Sequence, residues 1–397
     1  MRFLFILSFV FIQNLLSFQL FSQADSSNVK NKIKNISFAL DFYQGKMIKI
    51  YSKSPIVDHS NYFSFNVLWQ TDGSQRWHHS YSLPDIGLNV FYNYLGNDSI
   101  LGLSFGICPN MMIKIRGQKR WGAFFKFASG FAYFNKPYNQ VSNPENLVIG
   151  SHFTNMTNLS FNAFLKLNHH FSINGGYSLF HFSSGHIGIP NYGYNDLAWN
   201  IGIRYNPKAF VFNQCIKDNS NIQNNFIFNA RVGIGYHQFS GTVSPSGGPL
   251  YPIYIIAPYI SKKIGAVNNF RIGLSAKYFT SYHDFMLSEN CFPGKESIYS
   301  WVGSIFVGDE WQIGRVGFLI EPSLKLYNPF FQKLYVEEHY EHLESAELKR
   351  WISLKSGLAY YLLKSANNQK YNPSIGLYIN TNKTQADYVD ISFSCGF

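Results

Sequence analysis

The strongest constraint in the chain is a two-residue alternation of apolar and polar side chains, carried in short segments dense in aromatic residues. The C-terminal segment shows it most plainly. Asp387, Val389, Ile391, Phe393, Cys395 and Phe397 fall on one face, and Tyr388, Asp390, Ser392, Ser394 and Gly396 fall on the other. A period of two belongs to a β-strand whose faces meet different environments. About sixteen such segments recur at intervals of roughly twenty residues, separated by Asn, Gly, Pro and Asp clusters that read as turns. Beyond the N-terminal segment, no stretch is long and apolar enough for a membrane-spanning helix. Yet 46% of the residues are hydrophobic, with 38 Phe and 27 Tyr, while the mean hydropathy is only −0.11. Aromatic density with a near-neutral average suits strands that alternate between lipid and a polar lumen. A soluble secreted β-sandwich or lectin-like binder fits poorly, because its strands would carry no aromatic lipid face. The expected fold is all-β: a transmembrane antiparallel β-barrel of the bacterial outer membrane, with about eight strands per half.

Residues 1–24 place Arg2 before an apolar run at 3–21 that ends in Ser22-Gln23-Ala24, the pattern of a cleavable export signal, with an uncleaved anchor as the alternative. Residues 25–205 and 226–397 form halves of similar length around a polar, irregular segment at 206–225 that contains Lys217-Asp218-Asn219-Ser220-Asn221. Either that segment links two eight-stranded barrels, or it is a long loop within one barrel of about fourteen to sixteen strands. The terminal Phe397 resembles the assembly signal of outer-membrane barrels.

Lys and Arg number 33 against 22 Asp and Glu, a net charge of +11 in a chain only 14% charged. Anionic, phosphorylated lipid is the natural counterpart of such a surface. A nucleic-acid partner is not expected, since the chain carries an export signal and neither zinc-finger spacing nor a clustered basic helix. The four cysteines, Cys108, Cys215, Cys291 and Cys395, are too scattered for a metal motif or a disulfide framework. Glu338-His339, Glu341-His342 and Glu344 cluster in sequence, but they lie between strands and read as an exposed polar loop. No metal or cofactor is expected.

Chemistry is suggested where alternation is broken. Along residues 171–183, Phe171, Ile173, Tyr177 and Leu179 share the apolar face, and His181 and Ser183 continue that odd series at its polar end. In the next strand Leu197, Trp199, Ile201, Ile203 and Tyr205 face lipid, which puts Asn195 on the same side as His181 and Asp196 in the lumen. A serine hydroxyl needs a base within hydrogen-bond reach to act as a nucleophile, and the base needs an acceptor to fix its tautomer. His181 would serve as base and Ser183 as nucleophile. Asn195 is the preferred orienting residue and Asp196 the alternative, reachable only through a bulge at the strand end. The amide of Gly185 and the side chain of Asn191 offer donors for an oxyanion. His-x-Ser also occurs at His78-His79-Ser80 and His170-Phe171-Ser172, both read as interface or turn residues.

The stretch His181-Phe182-Ser183-Ser184-Gly185, followed by Pro190-Asn191-Tyr192-Gly193-Tyr194-Asn195, resembles the active-site segment of lipid A 3-O-deacylases, the PagL-type acyloxyacyl hydrolase family. The family pattern is His-x-Ser-Asn-(Ala or Gly), then Pro-Asn, then the triad acid. Similarity continues upstream through Thr71-Asp72-Gly73-Ser74, Trp77-His78, Pro84-Asp85-Ile86-Gly87 and Gly150-Ser151, and so spans residues 70–205, with weaker similarity around Gln385-Ala386-Asp387-Tyr388. The resemblance implies His181 as general base, Ser183 as nucleophile and Asn191 as an oxyanion donor. It also implies lipid A, the membrane anchor of lipopolysaccharide, as substrate. Two positions depart from the family: Ser184 replaces its Asn, and Asn195 stands where its best-known members have Glu. The rival expectation is a barrel that keeps this segment but acts as a porin or structural protein. The short turn at 167–170 is typical of the periplasmic side, which would put His181 at the outer surface.

Overall fold

The structure is a computed structural model that describes residues 36–49, 51–116, 120–208, 225–239, 246–265, 267–333, 350–363, 371–382 and 385–397. The expected export signal at residues 1–24, most of the segment between the halves, Cys215 and the Glu338–Glu344 cluster lie outside these residues.

The two-barrel alternative is the one observed. Strands β1 (Ile36–Met47), β2 (Ser60–Gln70), β3 (Asp85–Tyr94), β4 (Leu103–Arg116), β5 (Trp121–Phe134), β6 (Phe153–Lys166), β7 (Phe171–Ser183) and β8 (Tyr194–Tyr205) close one antiparallel barrel through β1 and β8. Strands β9 (Phe226–Gln238), β10 (Leu250–Ile264), β11 (Asn268–Phe279), β12 (Trp301–Ile313), β13 (Val316–Tyr327), β14 (Ile352–Tyr361), β15 (Ser374–Asn382) and β16 (Gln385–Gly396) close a second through β9 and β16. Each is a sheet without edges, which satisfies its backbone in lipid.

The alternation read from the sequence is the inside-outside pattern of these walls. In β8 the outward Leu197, Trp199, Ile201 and Ile203 are exposed while Asp196 and Ala198 are buried. Strand β4 runs on through Pro109 to Arg116. The proline costs one ladder bond towards β5, where the paired residues pass from Ile107 to Asn110 without changing register. Strand β11 stops at Phe279, where a helix, α1 (Thr280–Ser288), begins.

Both lumens are filled by side chains. In the first, Tyr43, Tyr62, Phe91, Phe134, Phe180, Phe182 and Tyr194 pack into a buried cluster toward the Ser183 end. Toward the other end, Asp85 takes Lys114 and Arg204 at 2.9 and 2.6 Å. In the second, Arg231 bonds Glu321 through two nitrogens at 2.9 and 2.6 Å, and Arg271 pairs with Glu310. Buried charges are tolerated only when matched in this way.

Candidate active site

Strand β7 is held rigidly from within. Its inward residues Phe180 and Phe182 are fully buried. Phe180 stacks on Tyr62 at 4.1 Å, and Phe182 meets Phe134 edge-on at 5.5 Å. Because side chains alternate along a strand, the same anchoring fixes His181 and Ser183 on the outer wall.

Register then brings partners alongside. His181 lies directly opposite Asn195, and its Nδ1 is 2.7 Å from Asn195 Oδ1. With the carboxamide oxygen accepting, Nδ1 carries the proton and Nε2 is the basic nitrogen. Asp196 pairs across from Phe180 instead and is fully buried in the lumen. There its carboxylate accepts hydrogen bonds from Ser60, from Tyr62 at 2.7 Å and from Tyr194 at 3.3 Å. The bulge that would have turned Asp196 outward is not formed.

Ser183 is nearly buried, and its Oγ accepts from Asn191 Nδ2 at 3.0 Å and from the Gly185 amide at 3.2 Å. Among the described hydrogen bonds, none joins it to His181, two residues away on the same face. The predicted residues therefore form two adjacent groups: His181 with Asn195, and Ser183 with Asn191 and Gly185. Rotation about the Ser183 Cα–Cβ bond is the motion that redirects its hydroxyl between them.

The connecting loop is closed by its own polar groups. Asn191 Oδ1 accepts the Ser184 amide at 3.1 Å, so one carboxamide spans the loop and reaches Ser183. Ser184, at the position where the family pattern has Asn, donates its hydroxyl to Gly188 O at 2.7 Å. Gly193, at φ +71°, runs beside the imidazole: a Cβ there would lie 3.7 Å from His181 Cε1 and 3.2 Å from Phe182 O. The Tyr192 and Gly193 amides tie the loop's end to Leu147 and Val148 carbonyls at 3.0 and 3.1 Å.

Sequence reading missed the polar neighbours on the same wall. Ser129, Thr157, His181 and Asn195 are opposed in turn across β5, β6, β7 and β8, and Asn155 lies opposite Ser183. Ser129 and Thr157 hydroxyls are 3.3 Å apart, and Thr157 donates to Asn155 at 3.0 Å. One row below, Phe127, Leu159, Leu179 and Leu197 are opposed in the same way and all apolar. The row directly beneath His181 is thus apolar, while above the polar row Tyr133 and Phe153 again place exposed aromatics on the outer wall of β5 and β6. Outward Ser and Thr were individually visible in the sequence, but their alignment depends on register across four strands.

No family model and no curated protein matches the chain. Among solved structures, the outer membrane enzyme PagL aligns at 15% identity over 41% of this chain and 97% of that one, with a TM-score of 0.31. CdiB from Acinetobacter baumannii aligns at 10% identity over 91% of this chain and 60% of that one, TM-score 0.19. A mutant Rhodopseudomonas blastica porin aligns at 8% identity over 91% of this chain and 99% of that one, TM-score 0.16. Superpositions this loose carry no argument about activity.

Proposed function

We propose that this chain is an outer-membrane esterase that hydrolyses an ester-linked acyl chain of lipid A at the 3-O position, with Ser183 as nucleophile. The observation that carries the reading is the convergence of His181, Ser183, Asn191, Gly185 and Asn195 directly above the apolar outer row of Leu159, Leu179 and Leu197. An ester held at the membrane boundary would present its acyl chain to Leu159 and Leu179 and its carbonyl to Ser183. The sequence resemblance to lipid A 3-O-deacylases supplies the substrate class, and the basic charge of the chain suits a phosphorylated lipid.

In the proposed reaction Ser183 Oγ attacks the ester carbonyl carbon while His181 Nε2 takes its proton. The tetrahedral oxyanion is met by donors of the Ser183–Asn191 loop, the Gly185 amide and Asn191 Nδ2. Collapse expels the sugar oxygen, which leaves as a hydroxyl carrying the His181 proton. Water then attacks the acyl-serine, giving its proton to His181, and collapse returns a proton to Ser183 Oγ as the free fatty acid departs. Hydrogen bonds of this kind are commonly longer or misdirected before substrate binds and tighten with it. The mechanism uses protein groups alone. Asn195 would orient His181 without charge, so the imidazolium would be less stabilised than beside a carboxylate.

The packed lumens weigh against the channel reading, since a passive pore needs an open path. Export by residues 1–24, and a division of labour in which residues 25–205 carry the chemistry and 226–397 form the companion half, belong to the same proposal. Mass spectrometry of lipid A from cells expressing wild-type chain or Ser183→Ala, with insertion verified in both, tests it. Wild type should lack one acyl chain that the variant retains, and identical patterns in lipid A that starts fully acylated would refute the reading.

A further inference from the structure

The loop that would furnish the oxyanion donors is held from the second barrel as well as the first. Gln238 ends β9, and its main-chain amide donates to His186 O at 3.1 Å. Its side-chain Oε1 accepts the Ile189 amide at 2.9 Å, while its Nε2 donates to Gly248 O at 2.9 Å. Thus one residue of the second barrel grips the loop at two points, 186 and 189, which bracket its middle. Gly185 closes against the same barrel: at φ +66° it leaves space where a Cβ would come within 2.6 Å of Val389 Cγ2. Next to Gln238, buried His237 bonds the Ser281 hydroxyl at 2.9 Å, which ties the end of β9 to α1. The grip therefore comes from an anchored strand end.

A loop with glycines at 185, 188 and 193 has many conformations open to it, and only a few aim Asn191 Nδ2 and the Gly185 amide at one point. Oxyanion stabilisation depends on donors that are already in place. We infer that the second barrel is a built-in positioning element for the candidate site, with Gln238 as the positioning residue that fixes the Ser184–Asn191 loop. The inference rests on the esterase reading and adds the role of the second half of the chain. It accounts for a pair of barrels in which, among the described residues, the His181-Ser183 set lies on the wall of the first.

The test uses the full chain in liposomes, a short-chain p-nitrophenyl ester as probe, and five forms: wild type, Ser183→Ala, Gln238→Leu, Gln238→Glu and Tyr138→Phe, each checked for insertion. Gln238→Leu removes the acceptor of the Ile189 amide, and Gln238→Glu keeps one. Tyr138→Phe deletes a different contact between the barrels, the 3.2 Å approach of Tyr138 Oη to Ser246 Oγ. Expected are a fall in kcat of about tenfold for Gln238→Leu, the scale of a modest misplacement of catalytic donors, with KM within about twofold. Most of the loss should return in Gln238→Glu, and Tyr138→Phe should match wild type. A Ser183-dependent rate left intact by Gln238→Leu would overturn the inference alone, as would equal losses in Gln238→Glu or Tyr138→Phe. A Ser183→Ala rate equal to wild type would overturn the esterase reading and this inference with it.

Discussion

Asn195 and Asp196 are adjacent in sequence and opposite in fate, because successive residues of a strand face opposite sides of its sheet. Asn195 meets His181 on the outer wall at 2.7 Å, while Asp196 is buried among Ser60, Tyr62 and Tyr194. Their substitutions should therefore separate chemistry from stability. Asn195→Ala is expected to lower kcat about tenfold, the kinetic equivalent of one orienting hydrogen bond, with little change in unfolding midpoint. Asp196→Ala strands buried hydroxyls and should destabilise the barrel by about 1–3 kcal/mol, with kcat of the folded fraction retained. Paired rate and denaturation measurements on both variants check this, and the reverse allocation would show that Asp196 turns outward when substrate binds. This contrast was legible in sequence, because parity from Leu197 to Tyr205 already assigned each residue a side. The hydroxyl partners of Asp196 were not, since Ser60 and Tyr62 lie on β2, two strands around the barrel from β8 and separated from it by β1.

At the scale of the element, a strand end and a loop divide the work between them. Strand β7 supplies His181 and Ser183 from a wall locked by Phe180 and Phe182, whereas the loop supplies Asn191 and the Gly185 amide. Asn191→Ala removes a side chain that touches Ser183 and also holds the Ser184 amide. Its kcat should fall about 10²- to 10³-fold, as for loss of one oxyanion donor, which steady-state kinetics against a soluble ester would reveal. Strand β7 was readable because its alternation holds from Phe171 to Leu179, so that the polar His181 and Ser183 stand out on the apolar face. Strand β4 continues past Pro109 because a barrel tolerates one missing ladder bond. At the start of α1 the rings of Phe279 and Tyr282, three residues apart, stack at 4.5 Å, a packing that a two-residue alternation does not foretell. The polar row Ser129-Thr157-His181-Asn195 remained hidden, since it exists only once four strands are in register.

For the whole molecule, two small barrels replace one large one, so each lumen is narrow enough for side chains to fill. The second holds matched charges at its centre, with Arg231 and Glu321 both almost fully buried. Breaking the pair from one side is expected to cost about 3–5 kcal/mol, because Glu321 is left uncompensated. Reversible urea unfolding should show that loss in Arg231→Met and recovery of most of it in Arg231→Met with Glu321→Gln. If the single variant is as stable as wild type, water reaches the lumen centre and the packed-barrel description fails. The number of strands followed from sequence periodicity, but their division into two barrels did not, because even strand counts close either way.

Ester cleavage through Ser183, on the outer wall of the first barrel, is the proposed activity. Its most direct test is the release of fatty acid from lipid A in liposomes containing the purified full chain, followed by mass spectrometry in ¹⁸O-labelled water. Wild type should release one fatty acid per lipid A with the label in its carboxylate and none in the sugar hydroxyl, and Ser183→Ala should release none. No release by the inserted wild-type chain, or release undiminished in Ser183→Ala, would rule out ester cleavage through Ser183.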